Sequence, residues 1–410
     1  LHSWKHALLY IAGIGVSNLG NWIYLVAINL LVLNMTGSPA AVAGLFIIRP
    51  LATLLTNSWA GSIIDRANKR TLMIVTDVIR GALIALIPFM TSVWGIYTIM
   101  FLISVAGAFF GPTSITYVTK LVPAEQRKTF NAWSSFASSG AALLGPAISG
   151  VLIAYTDIRI SIIINAISFF LCALAIYFLP DVDAQGSEAG KRVAVTLKTL
   201  VQDWIAVIDF GKAAAYFVLI YALFQSATLL GFALDSQEAT FIKQVLQLGD
   251  EDYGLLVSVA GAGYLAGSAA ASFTVKWLSV RMLIGAGTLL SSAGYFVFYA
   301  SNGYAMAAAG FVIFGFFSSF ANAGYMTFFQ NRVPIDLMGR FSSVTRLLEG
   351  IVQILLTLLL GVAADLWSLQ TVCLIGAGAA CAVSIILLIA AYVPSKARDY
   401  ESQPSAGASS

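Results

Sequence analysis

Twelve separate apolar runs, each about 20 residues or longer, take up most of this chain and leave it few ways to fold. At 1.5 Å of rise per residue, about 20 apolar residues cross about 30 Å of hydrocarbon, so each run predicts a membrane-spanning helix. The runs fall at roughly 8–33, 40–61, 71–92, 95–118, 130–154, 160–179, 213–234, 253–275, 282–300, 303–329, 341–363 and 369–393. Composition agrees, since 59% of the 410 residues are hydrophobic and only 10% are charged. A soluble domain carries about a quarter charged residues. The predicted fold class is an all-α polytopic membrane protein with 12 transmembrane helices.

Orientation follows from the bases. With both termini cytoplasmic, 17 of the 22 Lys and Arg residues fall on the inner side. Only Arg159 and Lys243 fall outside, while Arg49, Arg80 and Arg346 lie within runs. Inner loops collect bases, so this orientation is the expected one, in the inner (cytoplasmic) cell membrane. The net charge of +3 is set by these loops and predicts no nucleic-acid partner. Cys172, Cys373 and Cys381 all sit in apolar runs, an odd count without paired spacing, which predicts neither a disulfide framework nor a metal site. The first run continues past 20 residues with no small-residue cleavage site, which predicts no cleavable signal peptide.

The runs group as two sixes. Residues 1–180 form the first half, and 213–393 the second. A polar stretch, 181–212, reads as a cytoplasmic linker; it contains AQGSEAGKR and an amphipathic VTLKTLVQDWIAVI. The Ser/Ala/Gly-rich tail at 394–410 is expected to be disordered. An internal repeat supports the grouping. LVPAEQRKTFNAW (121–133) aligns without gaps to RVPIDLMGRFSSV (332–344) at an offset of 211, and at that offset Gly150-Val151 meets Gly361-Val362. Two halves in parallel topology place a substrate site near the midplane.

The densest charge in the chain is GSIIDRANKR (61–70), between the second and third runs. A positive-inside signal explains Arg66, Lys69 and Arg70 but not Asp65. With twelve spans in two halves, GSIIDRANKRTLM resembles the loop 2–3 signature of the major facilitator superfamily, with Gly61, Asp65, Arg66, Lys69 and Arg70 on its motif positions. Asn68 stands where that family usually has Gly, and Asn tolerates a left-handed turn. The resemblance implies a gate in which this loop latches the halves together, its bases pairing across them. In the fifth span SSGAALLGPAISG (138–150) places Gly145, Pro146 and Gly150 on the motif of the family's drug/proton antiporters. PTSITYVTKLVPAEQ (112–126) before it resembles the macrolide-efflux and enterobactin-exporter branch. The fourth span carries no Arg, unlike many proton-coupled exporters of the family.

Ionisable groups within spans are costly and so are candidates for function. Asp77 and Arg80 lie three apart on the third span, as do Arg346 and Glu349 on the eleventh. For both pairs a structural salt bridge is the simpler role, and it suits Asp77–Arg80. Glu349 is the only carboxylate so deep in the second half and is the first proton-coupling candidate, with Asp77 second. Arg49 has no acidic neighbour on its own helix, which suggests an inter-half contact with Glu349 at similar depth. The family fold lines its cavity with helices one, four, seven and ten. There the candidates are Asn18, Asn21 and Asn29 on one face of the first span, Tyr221 and Gln225 with Phe217 and Thr228 on the seventh, and Asn322 and Tyr325 with Phe314 and Ser318 on the tenth.

These features predict a secondary active exporter of amphipathic, drug-like organic molecules. It would work by rocker-switch alternating access in antiport with protons, as a monomer in the bilayer and without a cofactor. A lysophospholipid or siderophore transporter of the same fold is the alternative within transport, and a membrane-embedded receptor or enzyme the alternative outside it. Against an enzyme, His2 and His6 are the only histidines, no metal or hydrolase spacing occurs, and no GxxxxGK[ST] loop is present.

Overall fold

In hydrocarbon the backbone has only itself to hydrogen-bond with, so long apolar runs close into helices. The computed structural model describes residues 2–183, 197–274, 277–394 and 400. Among them, 12 helices are long and apolar enough to cross a membrane, and no strand forms. The first six are α1 (His2–Thr36), α2 (Pro39–Arg66), α3 (Lys69–Leu86), α4 (Val93–Leu121), α5 (Arg127–Tyr155) and α6 (Ile158–Tyr177). A non-spanning α7 (Leu197–Ala213) precedes α8 (Ala215–Asp235), and a short α9 (Glu238–Thr240) follows it. The remaining spans are α10 (Asp250–Thr274), α11 (Val280–Tyr299), α12 (Tyr304–Arg332), α13 (Ile335–Leu366) and α14 (Leu369–Ala391). The AQGSEAGKR segment lies outside the described residues, and α7 occupies the stretch read as amphipathic.

The helices outrun the apolar stretches. α1, α2 and α13 extend into polar turns such as Ile335–Arg340, because backbone bonding continues until a cap or a proline ends it. Side chains at Ser38, Asn68, Ser279 and Ser368 cap α2, α3, α11 and α14 by accepting backbone N–H groups of the first turn. Large exposed aromatics cluster at helix ends. Phe89, Trp94, Tyr155 and Trp367 lie at one end of the alternating spans, and Tyr177, Phe178 and Trp277 at the other. Two such belts mark membrane–water interfaces.

By contact the chain divides into two compact units. One comprises Leu1–Gly190, Ser236–Gly261 and Gly361–Leu366; the other comprises Lys191–Asp235, Ala262–Leu360 and Trp367–Ser410. The division therefore differs from a clean split at the linker in two segments, one holding α9 and the start of α10 and the other the end of α13. In the first unit α1 packs on α5 and α6, and α3 on α4 and α6. In the second, α8 packs on α14, and α11 on α12 and α14. The pairs one–six, three–four and three–six thus recur among spans seven to twelve, as the sequence repeat requires.

The tail departs from the expected disorder at one point. Tyr400 is buried in the second unit's core, its ring stacked on Phe328 at 4.9 Å and its hydroxyl 2.9 Å from that of Tyr216. Burial of its large apolar ring accounts for the position of this one residue. Residues 395–399 and 401–410 lie outside the described set.

Candidate functional site

The second unit gathers three of the predicted residues. Tyr221 and Gln225 are four apart on α8 and so project from one face. The Tyr221 hydroxyl and the Gln225 amide nitrogen both donate to Glu349 Oε1 on α13. Rings pack around this contact. Phe224 stacks on Tyr325 of α12 at 4.4 Å with an interplanar angle of 3°, and Tyr221 meets Phe341 edge-on at 5.2 Å. Phe217, Tyr221, Phe224 and Phe341 belong to one buried cluster, while Glu349 is half-buried at its margin.

The Arg346–Glu349 salt bridge suggested by their spacing is not formed. Arg346 is exposed and makes no ion pair among the described residues. Two neutral donors on α8 satisfy the carboxylate, and the long Arg346 side chain turns outward instead. Arg49 is likewise exposed and makes no ion pair among the described residues, where a buried guanidinium was expected.

In the first unit Asp77 and Arg80 do meet, Oδ1 to Nη1 at 3.3 Å, with Asp77 fully buried. The guanidinium lies 4.0 Å over the Phe169 ring and 5.8 Å from that of Phe110, so charge and ring attraction hold it together. Among the described residues, no nitrogen or oxygen donor reaches Asp77 Oδ2, and Arg80 Nε has no acceptor. Asn18 donates to Ser138 Oγ at 3.2 Å, and buried Asn29 donates to the Tyr253 hydroxyl at 3.0 Å. These two amides link α1 to α5 and α10. Asn21 is half-buried, and Asn322 is exposed with its amide 3.3 Å from the Tyr264 hydroxyl.

The charged loop also departs from expectation. Asn68 sits at φ −63°, ψ 123°, an extended conformation, where it caps α3 by accepting the Thr71 N–H at 2.9 Å. Its residue type serves the cap, and no left-handed turn is required. The loop is tied within its own unit. Asn68 Nδ2 donates to both Asp181 oxygens at 2.9 and 2.7 Å, and the Lys69 N–H donates to Asp183 at 2.7 Å. Lys120 Nζ donates to Asp183 at 2.5 Å, and Arg70 donates to the Ile176 and Tyr177 carbonyls at the end of α6. Burial opposes the charged form of Asp183, but the Lys120 and Lys69 hydrogen bonds and charges outweigh it and hold the carboxyl below the usual range. Arg66 is exposed; the surroundings of Gly61 and the Asp65 side chain lie outside what is described. Asp181 and Asp183 escaped the sequence reading, although an acidic pair just after the sixth run complements three bases just after the second.

The fifth-span motif is a packing surface on two sides. A Cβ on Gly145 would lie 2.4 Å from that of Trp22 on α1, and Ser149 Oγ donates to the Ile23 carbonyl at 2.9 Å. A Cβ on Gly150 would lie 2.7 Å from the Glu251 carbonyl, and one on Gly254 would lie 2.5 Å from that of Pro146. Thus α5 and α10 touch backbone to backbone, which only small residues allow.

Known proteins share this build. Residues 10–355 match the description of the Major Facilitator Superfamily. The chain is 25% identical over 346 residues to YfiS of Bacillus subtilis (strain 168), an uncharacterised transporter of that type, covering 82% of this chain and 81% of YfiS. In fold it resembles a peptide transporter solved with alafosfalin, with a TM-score of 0.75 at 13% identity over 97% of this chain and 96% of that one. It also resembles a bacterial homologue of the human lysosomal transporter Spinster, with a TM-score of 0.72 at 13% identity over 98% of this chain and 99% of that one. The chain belongs to the Major Facilitator Superfamily and is a multi-pass membrane transporter, not an enzyme.

Proposed function

We propose that this protein is a proton-coupled exporter of amphipathic, drug-like organic molecules, with Glu349 as its proton site. The observation that carries the reading is the seat of Glu349. Its carboxylate is held by a phenol and an amide, with no cation bound to it among the described residues, at the edge of an aromatic cluster on α8, α12 and α13. Protonation there changes the charge of the site without leaving a buried cation unpaired, which a reversible coupling site requires. The wholly buried Asp77, closed against Arg80, suits a structural role and stands second. Aromatic faces interleaved with Gln225 and Asn322 suit cargo that is mostly apolar with few polar groups.

In this reading the halves at 1–180 and 213–393, joined by the linker at 181–212, rock about the midplane of the inner membrane with both termini cytoplasmic. The 61–70 loop and the Gly145, Pro146 and Gly150 motif act as gate and seal, and Arg49 takes Glu349 as a partner in another state of the cycle. The test is accumulation of doxorubicin or ethidium in proteoliposomes under an imposed pH gradient. Uptake against the dye gradient that a protonophore abolishes is expected. Uptake indifferent to the protonophore, or absent for a broad dye panel with well-folded protein, would overturn the reading.

A further inference from the structure

We infer that Asp365 is a second gate residue, acting on α2 at the membrane face opposite the charged 61–70 loop. Asp365 is the penultimate residue of α13. Its Oδ2 accepts the Ser38 hydroxyl at 2.8 Å and its Oδ1 accepts the Ala40 N–H at 3.4 Å, both at the start of α2. The donors of that first turn are then accounted for. Pro39 has no N–H, Ala40 gives its own to Asp365, and Ala41 donates to Ser38 Oγ at 3.1 Å. A carboxylate at a helix N-terminus is also favoured by the helix dipole.

The approach is close enough to need a glycine: a Cβ on Gly361 would lie 2.6 Å from that of Ala43 and 3.2 Å from Ala40 Cα. Gly361 is the repeat partner of Gly150 at the offset of 211, and α2 and α10 are the second spans of their halves. The contact of α13 with α2 is therefore the second copy of the contact of α5 with α10. Asp365 has no counterpart in the first copy, where Ala154 holds the matching position. The carboxylate is an addition to a shared packing surface.

What makes it a gate is its mirror image. Asp65 is the penultimate residue of α2. α2 and α13 run in opposite directions through the membrane, so each ends in an Asp at the face where the other begins. Asp365 caps α2 in this structure, at the face opposite the gate proposed for the 61–70 loop. Both Asp365 bonds are solvent-exposed, so water replaces them at little cost and the contact is reversible. Two more donors tighten the same collar, Gln244 Nε2 to the Gly37 carbonyl at 2.8 Å and Gln237 Nε2 to that of Pro39 at 3.4 Å.

The inference rests on the alternating-access reading but on neither cargo nor protons, and its test uses neither. In nanodiscs, Val42→Cys places a thiol at a fully buried position one turn into α2. Its labelling rate with a hydrophilic maleimide, measured against the parent protein with its three native cysteines, reports opening of that end. Asp365→Ala is expected to raise the rate about fivefold or more, with Asp365→Asn between it and the parent. Asp65→Ala is expected to lower the rate, because it releases the opposite end. A rate unchanged within about twofold in Asp365→Ala, or a rise in both alanine variants as in general loosening, overturns the gate assignment.

Discussion

Single residues in this transporter divide by whether their charge is closed off or left available. Asp77 and Arg80 are closed: the carboxylate is wholly buried, its cation lies on Phe169, and removing one member strands the other. Arg80→Ala should therefore cost about 3 kcal/mol, and adding Asp77→Asn should recover at least half of that loss. Thermal unfolding in detergent measures both, and simple addition of the two single effects would show that the pair is not coupled. Asp183 gives a pH-dependent counterpart at the surface. Its folded pKa is depressed, so its contribution is fully present above the usual carboxylate value of about 4 and is lost only as pH falls through the lower folded value. Asp183→Asn should lower stability by about 1 kcal/mol from pH 5 to 8, the gap closing below about pH 4. A gap that widens on acidification would contradict the clasp formed with Lys120 and the α3 N-terminus.

At the scale of elements, the contact of α5 with α10 decides how much change the motif tolerates. Gly254→Ala forces a methyl group onto the Pro146 carbonyl and should cost about 1 to 3 kcal/mol. Gly140→Ala on the same α5 meets open space and should be neutral or stabilising by up to about 1 kcal/mol. Equal effects of the two in unfolding measurements would mean that the interface is looser than the structure shows. Elements were also what the sequence made most legible. Span number and order follow from apolar length, because hydrocarbon leaves the backbone no alternative to helix. Helix ends were harder, since α13 begins in the polar turn after Pro334, where hydropathy carries no signal. Hardest were the partners of polar side chains. Asn29 and Tyr221 look alike in a helical pattern; one locks α1 to Tyr253, the other reaches Glu349, and only tertiary packing separates them. The proximity of Asp181 and Asp183 to the 66–70 bases needed α6 to return beside α3, which the topology implies but no motif announces.

At the scale of the whole molecule, the superfamily assignment and the repeat agree on two related sets of six spans, and the packing pairs recur in each unit. On that scaffold the proposed coupling carboxylate belongs to the second unit alone, on the span that also ends in Asp365. If Glu349 ties proton movement to transport, gradient-driven accumulation in proteoliposomes depends on its charge. Glu349→Gln keeps an oxygen for Tyr221 and Gln225 but cannot ionise. It is expected to abolish accumulation under an imposed pH gradient while dye counterflow at equal pH continues near the parent rate. Accumulation by Glu349→Gln equal to that of the parent under the same gradient would exclude Glu349 and move the proton site to another carboxylate.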